Sequence, residues 1–316
     1  STDEYAQAEW APALRWRVSA GLRHSRVKFD SRDQYIVAGN PDDSGSVSYS
    51  ATSPVLGVVF HATDSVNLYA SLGKGFETPT LNELAYRPSG ATGLNFNLQS
   101  ASSKQWELGA KTLFGQDWAA NAAYFRARTS DEIAVLSNTG GRSVFQNVGS
   151  TTREGVEATL NGRWQGGWST YLSASYLDAI YRDGFLTCTA APCATPTTRI
   201  AAGNRIPGIP RATLYAELAW AHRPWGLETA LEYRRVGKIY VDDSNTDAAP
   251  GSSVFNLRVS LAQKVGRWSL REFLRVDNVG NRNYVGSVIV NEGNSRFFEP
   301  APRRTWLLGL NAAYQF

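Results

Sequence analysis

One pattern constrains the fold of this chain more than any other: apolar and polar residues alternate with a period of two. The final segment, RTWLLGLNAAYQF, places on one face Trp306, Leu308, Leu310, Ala312, Tyr314 and Phe316. Because side chains alternate between the two faces of a strand, the segment is predicted to be a strand with one apolar face. That face begins with Trp and ends with Tyr and Phe. Trp and Tyr favour the two water–lipid interfaces, so the pattern predicts a strand that crosses a bilayer.

The same alternation recurs along the chain, and the opposite face is rich in charge. It is found in the segments LRWRVSAGLR, VEATLNGRW, RATLYAELAW and SVFNLRVSLA. In the first of these, Arg15, Arg17 and Arg23 share the polar face. Guanidinium groups face hydrocarbon or a dry core only at high cost, so this face is expected to line a wet lumen. Helical spacing fits these segments less well.

The connections between the predicted strands alternate in length. Short turns are predicted near residues 11–13, 63–65, 115–117, 165–167, 223–225 and 265–267, and long polar loops over 31–46, 77–102, 131–150, 183–210, 242–252 and 281–302. Short turns on one side and long loops on the other are typical of outer-membrane barrels. The short-turn side is expected to carry an aromatic girdle of Trp118, Trp164, Trp168, Trp225 and Trp268. The sequence contains no run of 18 apolar residues, so no transmembrane helix is predicted.

We therefore expect an all-β fold, an antiparallel transmembrane β-barrel wall with about 13 strands. Bacterial single-chain barrels have even strand numbers, and this chain contains no Met. Residues 1–316 are accordingly interpreted as the C-terminal part of one larger barrel domain. A closed barrel of about 12 or 14 strands is the alternative.

The remaining composition narrows the function classes. A net charge of +4 with no basic run gives no indication of a nucleic-acid partner. No GxSxG, HExxH or phosphate-loop motif occurs and the three His are far apart, so we predict neither an enzyme nor a protein-bound metal or cofactor. Cys188 and Cys193 lie in LTCTAAPCATP and are predicted to form a local loop disulfide, which implies an oxidising compartment. Two free thiols or half of a metal site are the alternatives.

Five stretches, in order, resemble the C-terminal half of a TonB-dependent outer-membrane transporter. They are GFETPTLNEL, ELGAK, NVGSTTREGVE, VDNVGNRNY and the terminal aromatic residue. The matching positions are Gly75, Phe76, Pro79, Glu83 and Leu84; Glu107, Gly109 and Lys111; Asn147, Gly149, Gly155 and Glu157; Val276, Asn278, Asn281 and Tyr284; and Phe316. Val279 departs from the leucine of the family pattern.

The resemblance implies a plugged barrel of about 22 strands that imports a ferric siderophore with energy from TonB. The plug domain and first strands of such a barrel are absent from this chain. Iron would travel only within the chelate. The implied partners are the bilayer and lipopolysaccharide of the bacterial outer membrane, the siderophore, the chain's own plug and remaining strands, and TonB. The alternatives are another cargo, namely haem, cobalamin, copper or a carbohydrate, or a passive porin-like channel.

Most motif residues are expected to have structural roles. The glycines are expected where a strand bends or a plug approaches. Glu107, Lys111, Glu157 and Arg163 lie on the lumen face by parity, that is, by the odd or even position that decides on which face of a strand a side chain lies. They are expected to pair across strands or to hydrogen-bond a plug, and direct ligand contact is the alternative.

An anionic ferric chelate needs Arg or Lys for charge-assisted hydrogen bonds and aromatic rings for stacking. Such residues should face the lumen near the long loops. The strand candidates are Arg23, Arg234, Lys238, Tyr240, Arg275 and Arg303, and the loop candidates are Tyr86, Arg87, Phe96, Arg142, Arg296 and Phe297. The lack of Met argues against a methionine-lined copper site, and the lack of His in the long loops argues against haem.

Overall fold

Thirteen antiparallel strands form one sheet in a computed structural model that describes residues 1–139, 141–188 and 195–316. The first eight are consecutive: β1 Thr2–Ala13, β2 Trp16–Ser31, β3 Gly45–His61, β4 Val66–Glu77, β5 Ala101–Phe114, β6 Trp118–Thr139, β7 Arg142–Trp164 and β8 Trp168–Tyr181. Two-stranded loop sheets interrupt the rest: β9 Phe185–Thr187 and β10 Thr198–Ile200, then β11 Ala212–His222, β12 Leu227–Val236, β13 Ile239–Tyr240, β14 Ala248–Ala249, β15 Ser252–Val265, β16 Trp268–Asp277, β17 Val285–Val288, β18 Phe298–Pro300 and β19 Thr305–Tyr314.

The sheet order runs from β1 to β19, and each barrel strand pairs with its neighbours in sequence. Within the described residues, the wall stays open between the edges β1 and β19. The predicted all-β antiparallel wall and its strand count are confirmed. None of the helices among the described residues is long and apolar enough to cross a membrane.

The strand register aligns the apolar faces of neighbouring strands into one lipid-facing surface. Leu257, Val276 and Trp306 form one row across β15, β16 and β19. Side chains at i and i+2 share a face, so this row and those below it continue the same surface. The opposite face carries the polar residues predicted to line the lumen.

A line of tryptophans follows the short-turn side of the sheet. Trp118, Trp164 and Trp168 stack with ring centroids 5.8 and 6.4 Å apart, and Trp220 continues the line 6.2 Å from Trp168. Trp225 lies 4.5 Å from the His222 ring, and Trp268 lies 5.0 Å from Tyr314. The aromatic girdle predicted on this side is present, with Trp220 as a member that the prediction omitted.

Two predicted boundaries are wrong. The long loop predicted over 131–150 is strand, since β6 extends to Thr139 and β7 begins at Arg142. Asp131 has a positive φ of 57° and the register is unchanged across it, whereas the register shifts further along the polar extension, between Val135 and Ser137. The first short turn lies at 14–15 rather than 11–13, because the edge strand tolerates Pro12 at an irregular pairing between Trp10 and Ala13.

The long-loop side contains the largest buried cluster and the only regular α-helix among the described residues. Ala134, Val148, Tyr181 and Ile200 pack together there. Helix α1, Leu81–Leu84, begins with a capping box in which Thr80 and Glu83 exchange hydrogen bonds. Cys193 lies outside the described residues, so the disulfide between Cys188 and Cys193 stays a prediction.

Candidate ligand-binding vestibule

Three buried hydrogen-bonded braces organise the long-loop side of the wall, and the first joins β6 to β7. Arg153 donates from both terminal nitrogens to the carboxylate of Glu132, at 3.0 and 2.7 Å. The hydroxyl of Thr151 donates to the same carboxylate at 2.7 Å. Two parallel charge-assisted bonds fix direction as well as distance. The brace therefore holds the extended hairpin just above the irregularity at Asp131.

The second brace ties the end of β8 to three loops. Asp243 is 3% exposed and accepts from the Tyr181 hydroxyl at 2.7 Å and from the Asn291 amide at 2.9 Å. Asn291 in turn accepts from the backbone N–H of Asp243, and Asn204 donates to the carbonyl of Asp243 at 2.8 Å. Burial raises the pKa of Asp243, and the hydrogen bonds from Tyr181 and Asn291 act in the opposite direction. Four segments distant in sequence are held together at Asp243 through its carboxylate and its backbone.

The third brace lies on the polar face of β12 and β16. Arg275 donates to both oxygens of Glu232 at 2.9 Å, and its Nε donates to Asp277 at 2.9 Å. Glu232 is 4% exposed, and it also accepts from Asn256 at 3.3 Å. Arg275 was predicted to contact ligand. The structure places it on the lumen face, as the parity indicated, with its charge already paired.

A cleft in the loop between β4 and β5 contains two predicted ligand residues. Arg87 and Phe96 line a space of about 550 Å³ together with backbone and polar groups of the same loop. Arg87 donates to the carbonyl of Leu94 at 3.0 Å and forms no ion pair with any described residue. The neighbouring Tyr86 ring lies 5.6 Å from the guanidinium of Arg142, at the tip of the β6–β7 hairpin. Four loop candidates therefore lie in two aromatic–arginine pairs.

A second cleft, of about 360 Å³, lies between the top of β12 and the β17–β18 loop sheet. Arg234 and Tyr284 line it, and Arg234 is exposed. Close by in sequence, Lys238 donates to the Tyr240 hydroxyl at 2.8 Å, and its ammonium lies 4.2 Å from the ring centroid. The predicted strand cluster of Arg234, Lys238 and Tyr240 therefore contains two exposed cations, of which Lys238 forms a cation–π pair with Tyr240.

The other candidates lie apart from these clefts. Arg23 forms an ion pair with Asp3 at 3.0 Å, and Arg303 donates to Asn283 at 2.9 Å. Arg296 is exposed, and the ring of Phe297 lies 6.2 Å from that of Phe298. Ligand contact by any of the twelve candidates stays a prediction.

The motif residues make specific packing contacts. Gly109 leaves room for the ring of Tyr69, whose hydroxyl donates to Glu107 at 2.5 Å, and Gly75 and Gly155 allow similarly close approaches of Ser103 and of the Tyr176 carbonyl. Asn147 bonds to both backbone groups of Gln99 and to the carbonyl of Asp131. These contacts agree with the structural roles expected of the motifs.

The remaining motif residues stabilise turns and loops or lie at the chain end. Asn278 has a φ of 51°; its side-chain amide donates to the carbonyl of Arg282 and accepts from the backbone N–H of Arg282. Pro79 is fully buried, and Phe76 lies in β4. Glu83 caps α1, Glu157 lies on the polar face, and Phe316 contacts Tyr314 edge-on at 5.2 Å.

Sequence reasoning missed the residues of the first two braces. Parity places Arg153 and Tyr181 on the polar face, which was the one available signal. Their partners Glu132 and Asp243 lie 21 and 62 residues away. No local pattern connects positions so distant, so only the folded chain brings them together.

Known proteins match this chain over nearly its whole length. The sequence model described as "TonB dependent receptor-like, beta-barrel" matches residues 1–315. A curated relative from Acinetobacter baumannii, described as "Probable TonB-dependent siderophore receptor PiuA", is 23% identical over 319 residues, or 95% of this chain and 39% of the relative.

Solved structures show the same fold. The siderophore receptor PiuA from Acinetobacter baumannii superposes with a TM-score of 0.80 at 18% identity, covering 98% of this chain and 42% of that one. The ferric yersiniabactin uptake receptor FyuA from Yersinia pestis gives 0.73 at 20%, covering 99% and 45%. The copper transporter OprC gives 0.76 at 19%, covering 99% and 47%. The chain thus spans less than half the length of the proteins it matches.

Proposed function

The chain belongs to the TonB-dependent receptor β-barrel family, whose barrels lie in the bacterial outer membrane, and from this premise we propose that the complete protein imports a ferric siderophore with energy from TonB. This chain supplies barrel wall and extracellular loops that contact the chelate. The remaining strands and the plug that meets TonB come from outside residues 1–316. The proposal is supported by the relative described as a siderophore receptor and by the charge of the vestibule.

The observation that carries the proposal is a set of cations on the long-loop side without carboxylate partners. Among the described residues, none of the following forms an ion pair: Arg87, Arg142, Arg234, Lys238, Arg296 and Arg303. Each of the two clefts contains one of these arginines beside an aromatic ring. The two half-buried arginines of the braces, Arg153 and Arg275, are by contrast paired with carboxylates.

This distribution suits an anionic chelate. Unpaired guanidinium groups keep their donors for incoming carboxylate, catecholate or hydroxamate oxygens, and charge-assisted bonds are the strong ones. Tyr86, Phe96 and Tyr284 offer ring faces for the flat groups of such ligands. The first two braces hold the β6–β7 hairpin and the loops around Asp243 and Asn291, which reduces the ordering cost of those segments on binding.

The test uses the full-length receptor, purified in detergent and titrated with ferric catecholate, carboxylate and hydroxamate chelates while tryptophan fluorescence is followed. In the variant Arg234→Ala/Arg303→Ala, an anionic chelate should lose about 1.5–3 kcal/mol per charged hydrogen bond removed. The matched control is Arg235→Ala. Arg235 is exposed on the same strand, and it pairs with Leu214 on the outer face.

Affinity unchanged in the double variant, with folding intact, would remove these two arginines from the site. Haem, cobalamin, Cu²⁺ and oligosaccharides form the other arms of the titration. Saturable binding of one of these compounds, without binding of any ferric chelate, would identify that compound as the cargo and overturn the siderophore assignment. If cells without TonB took up the chelate, the proposal of active import would be wrong and passive flow through the barrel would take its place.

A further inference from the structure

One carboxyl group lies in the middle of the lipid-facing surface of the wall. Glu272 pairs with Leu261 on β15 and with Leu310 on β19, and both leucines belong to that surface. Glu272 lies four residues from Trp268 along β16, and Leu310 lies four residues from Trp306 along β19. Trp marks the two interfaces of a bilayer. Glu272 is therefore midway between the interfaces, at the centre of the hydrocarbon.

This carboxyl group has no partner in the described part of the chain and cannot reach water. Glu272 forms no side-chain hydrogen bond and no ion pair with any described residue. Leu270 and Leu274 flank it along β16, and leucines face it across both neighbouring strands. Its three carbon–carbon bonds of about 1.5 Å are too short to cross the roughly 12 Å to either edge of an apolar band about 25 Å tall. Ionisable groups at such depth are rare and normally pair with another polar group, so a partner from outside the chain is expected.

The same surface offers one side chain that complements this carboxyl group. Gln263 shares the face of Leu261 by parity and pairs with Leu270, which makes it a diagonal neighbour of Glu272. Diagonal neighbours on adjacent strands lie about 7–8 Å apart. Gln263 is exposed, and its side chain forms no hydrogen bond with any described residue. Its amide N–H groups donate, and a carboxyl group accepts in either protonation state, so the two groups are complementary.

The complementarity of these two groups identifies a second copy of the chain as the partner. A twofold axis along the membrane normal brings the same surface of two copies together, so that each contact between two residues occurs twice. Glu272 of each copy then meets Gln263 of the other. Leucine packs as well against acyl chains as against another protein surface, so the apolar residues around this pair supply little force for association. The two reciprocal hydrogen bonds would supply it.

We propose that the lipid-facing surface of β15, β16 and β19 is a contact between two copies of the receptor, in which the Glu272 carboxyl of each copy accepts a hydrogen bond from the Gln263 amide of the other. In a single copy the carboxyl group destabilises the wall, because it faces hydrocarbon without a partner. Formation of the dimer offsets that cost. The contact faces lipid rather than the lumen, so it does not depend on the cargo proposed above.

The test uses the full-length receptor, labelled in separate samples with donor and acceptor dyes and reconstituted together in vesicles. Energy transfer in the wild type should fall as lipid is added. Glu272→Leu should weaken association by at least about tenfold, because two hydrogen bonds within the membrane are lost. Glu272→Gln retains an acceptor and should stay within about threefold of the wild type. Glu272→Leu removes a carboxyl group from lipid, so the variant is expected to fold, and its tryptophan fluorescence checks this.

A double-mutant cycle tests the pairing itself. Gln263→Leu should weaken association as much as Glu272→Leu, and the variant with both changes should be no weaker than either single variant. The matched control is Thr112→Leu, which removes a polar group from the outer face of the distant strand β5 and should leave association unchanged.

Four outcomes would overturn the proposal. The first is a wild type without energy transfer at every ratio of protein to lipid, and the second is unchanged association of Glu272→Leu. The third is a loss in the double variant equal to the sum of the losses in the single variants, since the two residues would then act independently. The fourth is an equal loss in Glu272→Gln and Glu272→Leu, which would indicate a cationic partner instead of an amide.

Discussion

Replacing Arg275 with alanine should destabilise the barrel wall far more than it weakens ligand binding. The residue was a ligand candidate by sequence, yet both terminal nitrogens are bonded to Glu232 and its Nε to Asp277, each at 2.9 Å. Truncation removes the guanidinium and leaves the Glu232 carboxylate, which is 4% exposed, without its principal partner.

The magnitude follows from that burial. Removing one partner of a buried ion pair costs about 3–5 kcal/mol because the other charge is left uncompensated. Arg275 is itself 31% exposed at its side chain, and Arg258 remains 4.0 Å from Glu232. Both facts moderate the loss, so about 3 kcal/mol is expected. Replacing Glu232 as well, in Arg275→Ala/Glu232→Gln, should recover part of that loss because no buried charge then remains.

The assay is reversible urea unfolding of the full-length receptor in lipid vesicles, followed by tryptophan fluorescence. The matched control is Arg234→Ala, which removes an exposed arginine from the same polar face without leaving a buried charge and should change stability by less than about 0.5 kcal/mol. A loss below about 1 kcal/mol in Arg275→Ala would refute the reasoning. So would a double variant less stable than the single one.

Three further predictions follow from individual contacts. Gly109→Ala should cost about 1–3 kcal/mol in the same unfolding assay, because the new methyl group meets the ring of Tyr69; an unchanged midpoint would contradict that packing. Glu272 pairs with leucines on both neighbouring strands of the lipid face, so Glu272→Leu should stabilise the wall in vesicles by about 1–2 kcal/mol, whereas a loss of stability would contradict lipid exposure. Hydrogen bonds from the hydroxyl and backbone N–H of Ser150 lower the pKa of Asp183, so this contribution is present above the unfolded pKa and is lost as pH falls through the folded value. Ser150→Ala should flatten the acid limb of a stability–pH curve, and an unaltered limb would contradict the assignment.

The sequence by itself determined the class of fold and the orientation of most strands. Period-two alternation assigns each side chain to a face without knowledge of its neighbours, because parity is a property of a single strand. Aromatic residues at the ends of the apolar stretches located the membrane interfaces in the same local way. Arg234, Arg275 and Glu157 were accordingly placed on the correct face.

Only the tertiary structure decided which polar groups are paired. Register depends on turn geometry and on irregularities such as the one between Val135 and Ser137, and these set which residues face each other across strands. The polar segment 131–150 was predicted as a loop because Ser, Thr and Asn favour turns. In the fold, the backbone groups of β6 and β7 form hydrogen bonds with each other over this segment, so it is strand.

The same limit applies to the functional surfaces. Arg275 and Arg234 look equivalent in sequence, yet one is bonded to a buried carboxylate and the other is exposed beside a cleft. Parity is local and can be determined from the chain alone, whereas the free energy of each charge depends on neighbours that only folding supplies.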